Sequence, residues 1–233
     1  MENKEIKEKE LILGIDDAGR GPLIGPMALA GCLITPETEE EFRKLGVKDS
    51  KMLSPARREF LAKIIRKKSL GFYVTLTHPS EIDSKINRGT NLNTIEAINS
   101  AEIILHLTKQ RKEKIKIIID CPSPNRENWK QTVLKNLSLS ENITLACEHK
   151  ADRDYIAVSA ASILAKSERE SEVLKLKKKI GKDFGSGYTS DSVTINFLKK
   201  YSEEHKNDGI FRETWATFKN HTKQKQQKSL GEF

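Results

Sequence analysis

The stretch LILGIDDAGRGPLIGPMALAGCLI, residues 11–34, decides the fold of this chain. Leu11 to Asp16 is a short continuous apolar run, and Pro26 to Ile34 is a second, with a glycine-rich loop between them. Runs of this length without polar alternation read as strands buried on both faces, and two in succession suggest a hairpin-like start. Working outward, GFYVTLT (Gly71 to Thr77) is aromatic and β-branched and is predicted as a third strand. KIKIIID supplies a central fourth strand over Ile115 to Asp120, and Ile143 to Cys147 a fifth.

Helical patterns fill the intervals. Ser54 is placed as an N-cap with Pro55 at the first helical position, ahead of Phe60, Leu61, Ile64 and Ile65 at helical spacing. The stretch after Asn91 carries Ile95, Ile98, Ala101, Ile104 and Leu105 on one predicted face, and a further helix runs near Arg126 to Leu137. One long helical pattern extends from Ala151 to about Lys179, and two shorter ones lie near Asp191 to Glu204 and Thr214 to Lys223. Strands first, then alternating strands and helices, predict an α/β protein with a mixed sheet covered by helices. Residues 1–183 are expected to form the main domain, 184–222 a helical C-terminal subdomain and 223–233 a flexible polar tail.

Bulk composition narrows the class. Over 233 residues, 41 Lys and Arg against 33 Asp and Glu give a net charge of +8, which suits a polyanionic partner without requiring one. Cys32, Cys121 and Cys147 are far apart, without metal-ligand spacing, and read as reduced core residues. The charged start MENKEIKEKE has no apolar core, and no later run is long enough to cross a membrane. A cytoplasmic monomer is expected.

The acids carry the chemistry. Asp16 and Asp120 each end an apolar strand, where burial penalises charge by several kcal/mol unless a partner compensates. Taken singly, each caps the turn that follows it. If the first and fourth strands are neighbours, the two carboxylates converge at one sheet end. Asp17 follows Asp16, and adjacent strand residues point to opposite faces, so the pair shares a site only if the chain turns there, as Gly19 and Gly21 would permit. Asp152 and Asp154 fall at the mouth of the long helix, where N-terminal capping is the simpler reading. The small residues Ser159, Ala160, Ala161 and Ser162 would let that helix approach the sheet and bring Asp152 to the strand ends. Clustered carboxylates without histidine suit Mg²⁺ or Mn²⁺ better than zinc. Two such ions about 3.5–4 Å apart are the arrangement that serves phosphodiester hydrolysis.

The motifs GIDDAGRGPLIGPM, KDSKMLS, IIIDCPS, HKAD, VSAASILAK and GSGYTSD occur in the order and with roughly the spacing of the type 2 ribonucleases H, and the chain from Leu11 to Phe218 resembles archaeal ribonuclease HII. The resemblance implies an RNase H-like fold with a five-stranded mixed sheet. It also implies endonucleolytic cleavage of RNA in RNA/DNA hybrids and at single ribonucleotides in duplex DNA, leaving 3′-hydroxyl and 5′-phosphate ends.

Carried over by position, the family's catalytic, metal-binding acids are Asp16, Asp17, Asp120 and Asp152, with two Mg²⁺ or Mn²⁺ ions as cofactors. The second is usually glutamate; Asp17 is one methylene shorter. Gly19, Arg20 and Gly21 are implied to sense the 2′-hydroxyl at the ribose–deoxyribose junction, since glycine admits the closest backbone approach to a sugar. Tyr188 is implied to stack on the following deoxyribose. Lys51 and Lys166 lie in matched motifs as phosphate contacts, while Arg212 and Trp215 fit a looser C-terminal pattern in which Trp215 reads as core. In the tail, Gln227, Leu230 and Phe233 resemble the peptide that docks on PCNA-type sliding clamps. An alternative is a protein that binds hybrids without cutting them, its chemistry lost with the change at Asp17. Ribonuclease HIII would need an N-terminal substrate-binding domain, for which the ten residues before the first strand leave no room.

Overall fold

The computed structural model describes residues 10–230. Five strands, β1 (Leu11–Ala18), β2 (Met27–Ile34), β3 (Gly71–Thr77), β4 (Ile115–Asp120) and β5 (Ile143–Glu148), form one mixed sheet in the order β3-β2-β1-β4-β5. β1 pairs parallel with β4, Leu11 opposite Ile115 through Ile15 opposite Ile119, and β4 pairs parallel with β5, ending at Asp120 opposite Glu148. The condition for the first and fourth strands' acids to converge is therefore met: β1 and β4 are adjacent.

The helices are α1 (Pro36–Lys44), α2 (Pro55–Lys68), α3 (Pro79–Asn87), α4 (Leu92–Thr108), α5 (Arg126–Leu134), α6 (Ala151–Asp154), α7 (Ile156–Ile180), α8 (Ser192–Tyr201) and α9 (Ala216–Leu230). Ser54 caps α2 through the Arg57 amide, with Pro55 behind it, as its sequence demands. Both sheet faces are covered, which is why the central strands are continuously apolar. On one face a Cβ on Gly31 of β2 would fall 2.3 Å from Ile103 of α4. On the other, a Cβ on Gly14 of β1 would fall 2.1 Å from the carbonyl carbon of Ala157 in α7, so helix backbone rests directly on strand backbone. The close approach is made at Ala157 and Val158, against the strand glycine, just ahead of the small residues Ser159 to Ser162.

Several expectations are corrected. β1 continues through Ala18, so no turn occurs at the acid pair; the left-handed turn begins at Gly19, whose φ is +80°. The long helix from Ala151 is interrupted at Tyr155, whose backbone is extended and whose hydroxyl donates to Glu148 of β5 at 3.0 Å. α1 and α3 fall in stretches with no predicted helix. Ile98 and Leu105 of α4, and Phe60 of α2, are solvent-exposed; Ala97, Ile103 and Leu107 take the buried positions beside Ile95, Ala101 and Ile104. α9 runs through Leu230 rather than ending at Lys223, because Thr214 to Leu230 contains neither glycine nor proline to stop it.

The chain divides into two compact units. Among the described residues, the first comprises 10–17, 29–75 and 96–167, and the second 18–28, 76–95 and 168–230. The second unit takes in the loop after β1 and the α3 region together with the C-terminal part of the chain. Leu23, Ile24, Phe184, Phe197, Phe211 and Phe218 share its core, and Asp83 of α3 accepts from the amides of Glu213 and Thr214.

Candidate active site

In the first unit, the parallel register continued by one residue sets Asp16 beside Asp120 at the C-terminal ends of β1 and β4. Asp16 is only 6% exposed, and its Oδ1 accepts from the Asp17 amide at 2.8 Å. Burial, followed by the negative charges of Asp17 and Asp120, holds the Asp16 carboxyl well above the ordinary carboxylate range, against hydrogen bonds from Ser162 and the Asp17 amide. Asp120 is half-buried and also raised, by burial first and by Asp152. Its Oδ1 accepts from the Ala151 amide at 2.8 Å. That amide is aimed by Lys150, which adopts φ +60° between β5 and α6.

Asp152, 3% exposed on α6, is 3.6 Å from the Lys51 ammonium, which is itself largely exposed. Burial works against the Lys51 charge, but Asp152, Asp49, Asp16 and Asp120 together outweigh it and raise the ammonium above its ordinary value. Asp16, Asp120, Asp152 and Lys51 thus form one electrostatic cluster. Asp17 is half-buried and belongs to it through its charge on Asp16.

Four carboxylates without imidazole or thiolate suit a hard, oxygen-seeking divalent cation, which would offset both the burial of the Asp16 charge and the repulsion from Asp17 and Asp120. Among the described residues no three His, Cys, Asp or Glu side chains are yet gathered closely enough to cage an ion.

The second unit holds the glycine loop and Tyr188. A Cβ on Gly21 would lie 3.9 Å from the Tyr188 ring, so the structure places these two residues side by side. Tyr188 is 37% exposed. Arg20 donates to the Asn93 side chain, and Trp215, half-buried, donates to the Gly21 carbonyl at 3.2 Å. Two arginines build the loop. Arg212, with no exposed surface, donates to the carbonyls of Gly19 (2.6 Å), Arg20 (2.7 Å) and Gly25 (3.0 and 3.2 Å). Arg169 lies with its guanidinium 4.9 Å from the Tyr188 ring centre and donates to Ser186 at 3.0 Å, while its Cδ would be 2.3 Å from a Cβ on Gly19. Sequence reasoning missed Arg169, whose lysine- and glutamate-rich helix reads as a solvated face. The signal available was the glycine it needs at position 19.

Of the tail residues, Gln227 is exposed on α9, whereas Phe233 lies outside the described residues and the side chain of Leu230 is likewise undescribed. No described helix is long and apolar enough to cross a membrane.

A five-stranded mixed sheet with acids crowded at the ends of adjacent parallel strands defines a hydrolase of the ribonuclease H type. The family model for ribonuclease HII matches residues 13–218. Ribonuclease HII of Methanocaldococcus jannaschii is 40% identical over 220 residues, covering 90% of this chain and 94% of its own. The ribonuclease H2 structure from Pyrococcus horikoshii OT3 superposes with a TM-score of 0.79 at 36% identity, over 92% of this chain and 98% of that one. A PCNA:RNase HII complex from Archaeoglobus fulgidus gives 0.77 at 39% identity, over 88% and 95%. The chain belongs to the ribonuclease HII family and is an RNase H endonuclease.

Proposed function

We propose that this endonuclease hydrolyses the phosphodiester on the 5′ side of a ribonucleotide, in RNA/DNA hybrids and at single ribonucleotides embedded in duplex DNA, leaving 3′-hydroxyl and 5′-phosphate ends. The observation that carries the reading is the acid pair Asp16 and Asp120 on adjacent parallel strands, with Asp16 buried and electrostatically crowded. Asp16, Asp17, Asp120 and Asp152 are the residues that would hold two divalent ions, Mg²⁺ or Mn²⁺. When bound, such ions supply Lewis-acid stabilisation of charge on the scissile phosphate and lower the pKa of water.

The chain's own groups do the rest. The Asp17 amide and the Ser162 hydroxyl fix the rotation of the Asp16 carboxylate, and the Ala151 amide fixes that of Asp120. Lys51, on the exposed side of Asp152, meets a substrate phosphate. Gly19, Arg20 and Gly21 present backbone polar groups to the ribose 2′-hydroxyl, and Tyr188, adjacent to Gly21, offers its ring to the next sugar.

The test is cleavage of a labelled DNA duplex carrying one ribonucleotide, in Mg²⁺, Mn²⁺ and EDTA. Metal-dependent cutting 5′ of the ribonucleotide is expected. Binding of the duplex without cutting in either metal overturns the catalytic assignment in favour of a hybrid-binding protein.

The relative solved with PCNA supports a second proposal, that Gln227, Leu230 and Phe233 dock this chain on a sliding clamp of that type. Removing residues 227–233 is expected to abolish clamp binding in calorimetry; unchanged binding overturns it.

A further inference from the structure

Lys166 lies one turn beyond Ser162 on α7, and its ammonium donates to the hydroxyl of Ser50. Ser50 and Ser162 have no exposed surface, and their hydroxyl oxygens are 2.7 Å apart. Ser162 in turn hydrogen-bonds the Asp16 carboxyl. The four groups form one continuous chain whose two ends fix its direction. An ammonium only donates and a carboxylate only accepts, so with Asp16 ionised each hydroxyl donates toward it: Lys166 to Ser50, Ser50 to Ser162, Ser162 to Asp16. A chain polarised in one direction binds its terminal acceptor more strongly than an isolated serine would.

The middle of the chain is held independently. Ser50 sits in a 3-10 turn, Ser50–Met52, capped by the Asp49 side chain, which accepts from the Lys51 amide at 2.9 Å. Arg58, buried, donates to the carbonyls of Ser50 and Leu53, both at 3.0 Å. Ser50 is therefore a fixed post against α7, bonded to both Ser162 and Lys166. Lys166 directs its charge at that post and is itself partly withdrawn from solvent; burial is the main influence, lowering its ammonium below the ordinary value.

We propose that Lys166 is a positioning residue for Asp16, acting through Ser50 and Ser162 to orient the carboxylate for a divalent ion, and is not a phosphate contact. The proposal rests on the reading that Asp16 holds such an ion. It makes a distinctive demand: removing any link should undo the same orientation, so losses along the chain cannot accumulate. It also opposes simple electrostatics, because deleting a neighbouring cation would by itself tighten cation binding.

The experiment is a double-mutant cycle on the full chain, with Mn²⁺ affinity measured calorimetrically in the absence of substrate. Lys166→Met and Ser162→Ala are each expected to weaken Mn²⁺ binding about 10-fold, the usual cost of losing an outer partner of a metal ligand. The double variant should be weaker than the worse single by less than about twofold. Duplex binding in EDTA should keep the wild-type dependence on salt. Wild-type or tighter Mn²⁺ affinity in Lys166→Met, multiplied losses in the double variant, or a salt slope reduced by about 1, the mark of a lost phosphate contact, would each overturn the proposal. Should Ser162→Ala fail to fold by circular dichroism, Ser50→Ala takes its place in the cycle. Asp16→Asn separates the two levels of inference: wild-type protein that binds no Mn²⁺, or binding that survives Asp16→Asn, removes the metal reading and this proposal together.

Discussion

The guanidinium of Arg212 reaches the carbonyl oxygen of Gly19 at 2.6 Å across 193 residues of sequence. With the carbonyls of Arg20 and Gly25 also on its nitrogens, one fully buried side chain satisfies three loop acceptors that have no strand to pair with. Arg212→Ala leaves these acceptors unsatisfied in a buried setting, each costing roughly 1–3 kcal/mol, so a loss of about 3–5 kcal/mol is expected in urea unfolding. Arg212→Lys keeps the charge but not the fork, and should recover less than half of that loss. A loss below about 1 kcal/mol in the alanine variant would show that the loop holds itself.

The contact between Gly14 and Ala157 makes a second prediction. A methyl at position 14 would need to occupy space 2.1–2.3 Å from the backbone atoms of Ala157 and Val158, and backbone cannot swing aside as a side chain can. Gly14→Ala should therefore lift the start of α7 from β1 and destabilise by about 3 kcal/mol or more, measured by chemical denaturation. Because Ser162 follows on the same helix, the variant should also lose Mn²⁺ affinity. An unchanged unfolding midpoint would mean that the strand and helix separate freely here.

How much of this was legible in the sequence differs by type of residue. β1, β2 and β4 were, because burial on both faces leaves them largely apolar, β3 was legible from its aromatic and β-branched residues, and Asp16 and Asp120 stood out as charges ending apolar runs. α1 and α3 were not: α1 buries only Phe42, and α3 only Pro79 and Ile82, too few apolar positions to set a helical period. Their proline starts were visible, yet acidic composition masked them. The faces of α2 and α4 were misjudged at Phe60, Ile98 and Leu105 because hydrophobicity alone does not say which of several apolar stripes meets the sheet. The serines at positions 50 and 162 were read only as motif letters or as small residues, since a hydrogen bond spanning 112 residues leaves no local trace.

The shortened acid at position 17 makes a third prediction. β1 remains extended through Ala18, so no turn brings Asp17 closer to Asp16, and the length of its side chain sets how far the Asp17 carboxylate reaches into the acid cluster. An extra methylene extends that reach. Asp17→Glu is expected to cut the single-ribonucleotide duplex at least as fast as the wild type, and Asp17→Asn about 10²-fold more slowly, the scale on which misplacement by an ångström is felt. A glutamate variant slower than the wild type would show that this site has adapted to aspartate.

Asp16 makes the last prediction, through pH. Burial and the charges of Asp17 and Asp120 raise its folded-state pKa above the ordinary 3.8, and Asp120 is raised in the same sense, by burial and Asp152. As pH rises above 3.8 the unfolded chain releases these protons while the folded state retains them, so the folded state binds more protons and stability falls with pH. Above the folded-state pKa the penalty is complete and no longer changes. Asp16→Asn keeps an acceptor for Ser162 and the Asp17 amide but carries no charge. In EDTA at pH 7 it should melt at least about 3 °C above the wild type, the shift that roughly 1 kcal/mol produces in a chain of this size, and this advantage should shrink toward pH 4. Adding Mn²⁺ should raise the wild-type melting temperature and leave that of the asparagine variant nearly unchanged, because binding to the folded state alone is what stabilises it. An asparagine variant less stable than the wild type at pH 7, or a difference that does not vary with pH, would mean that the charge on Asp16 is already compensated within the protein.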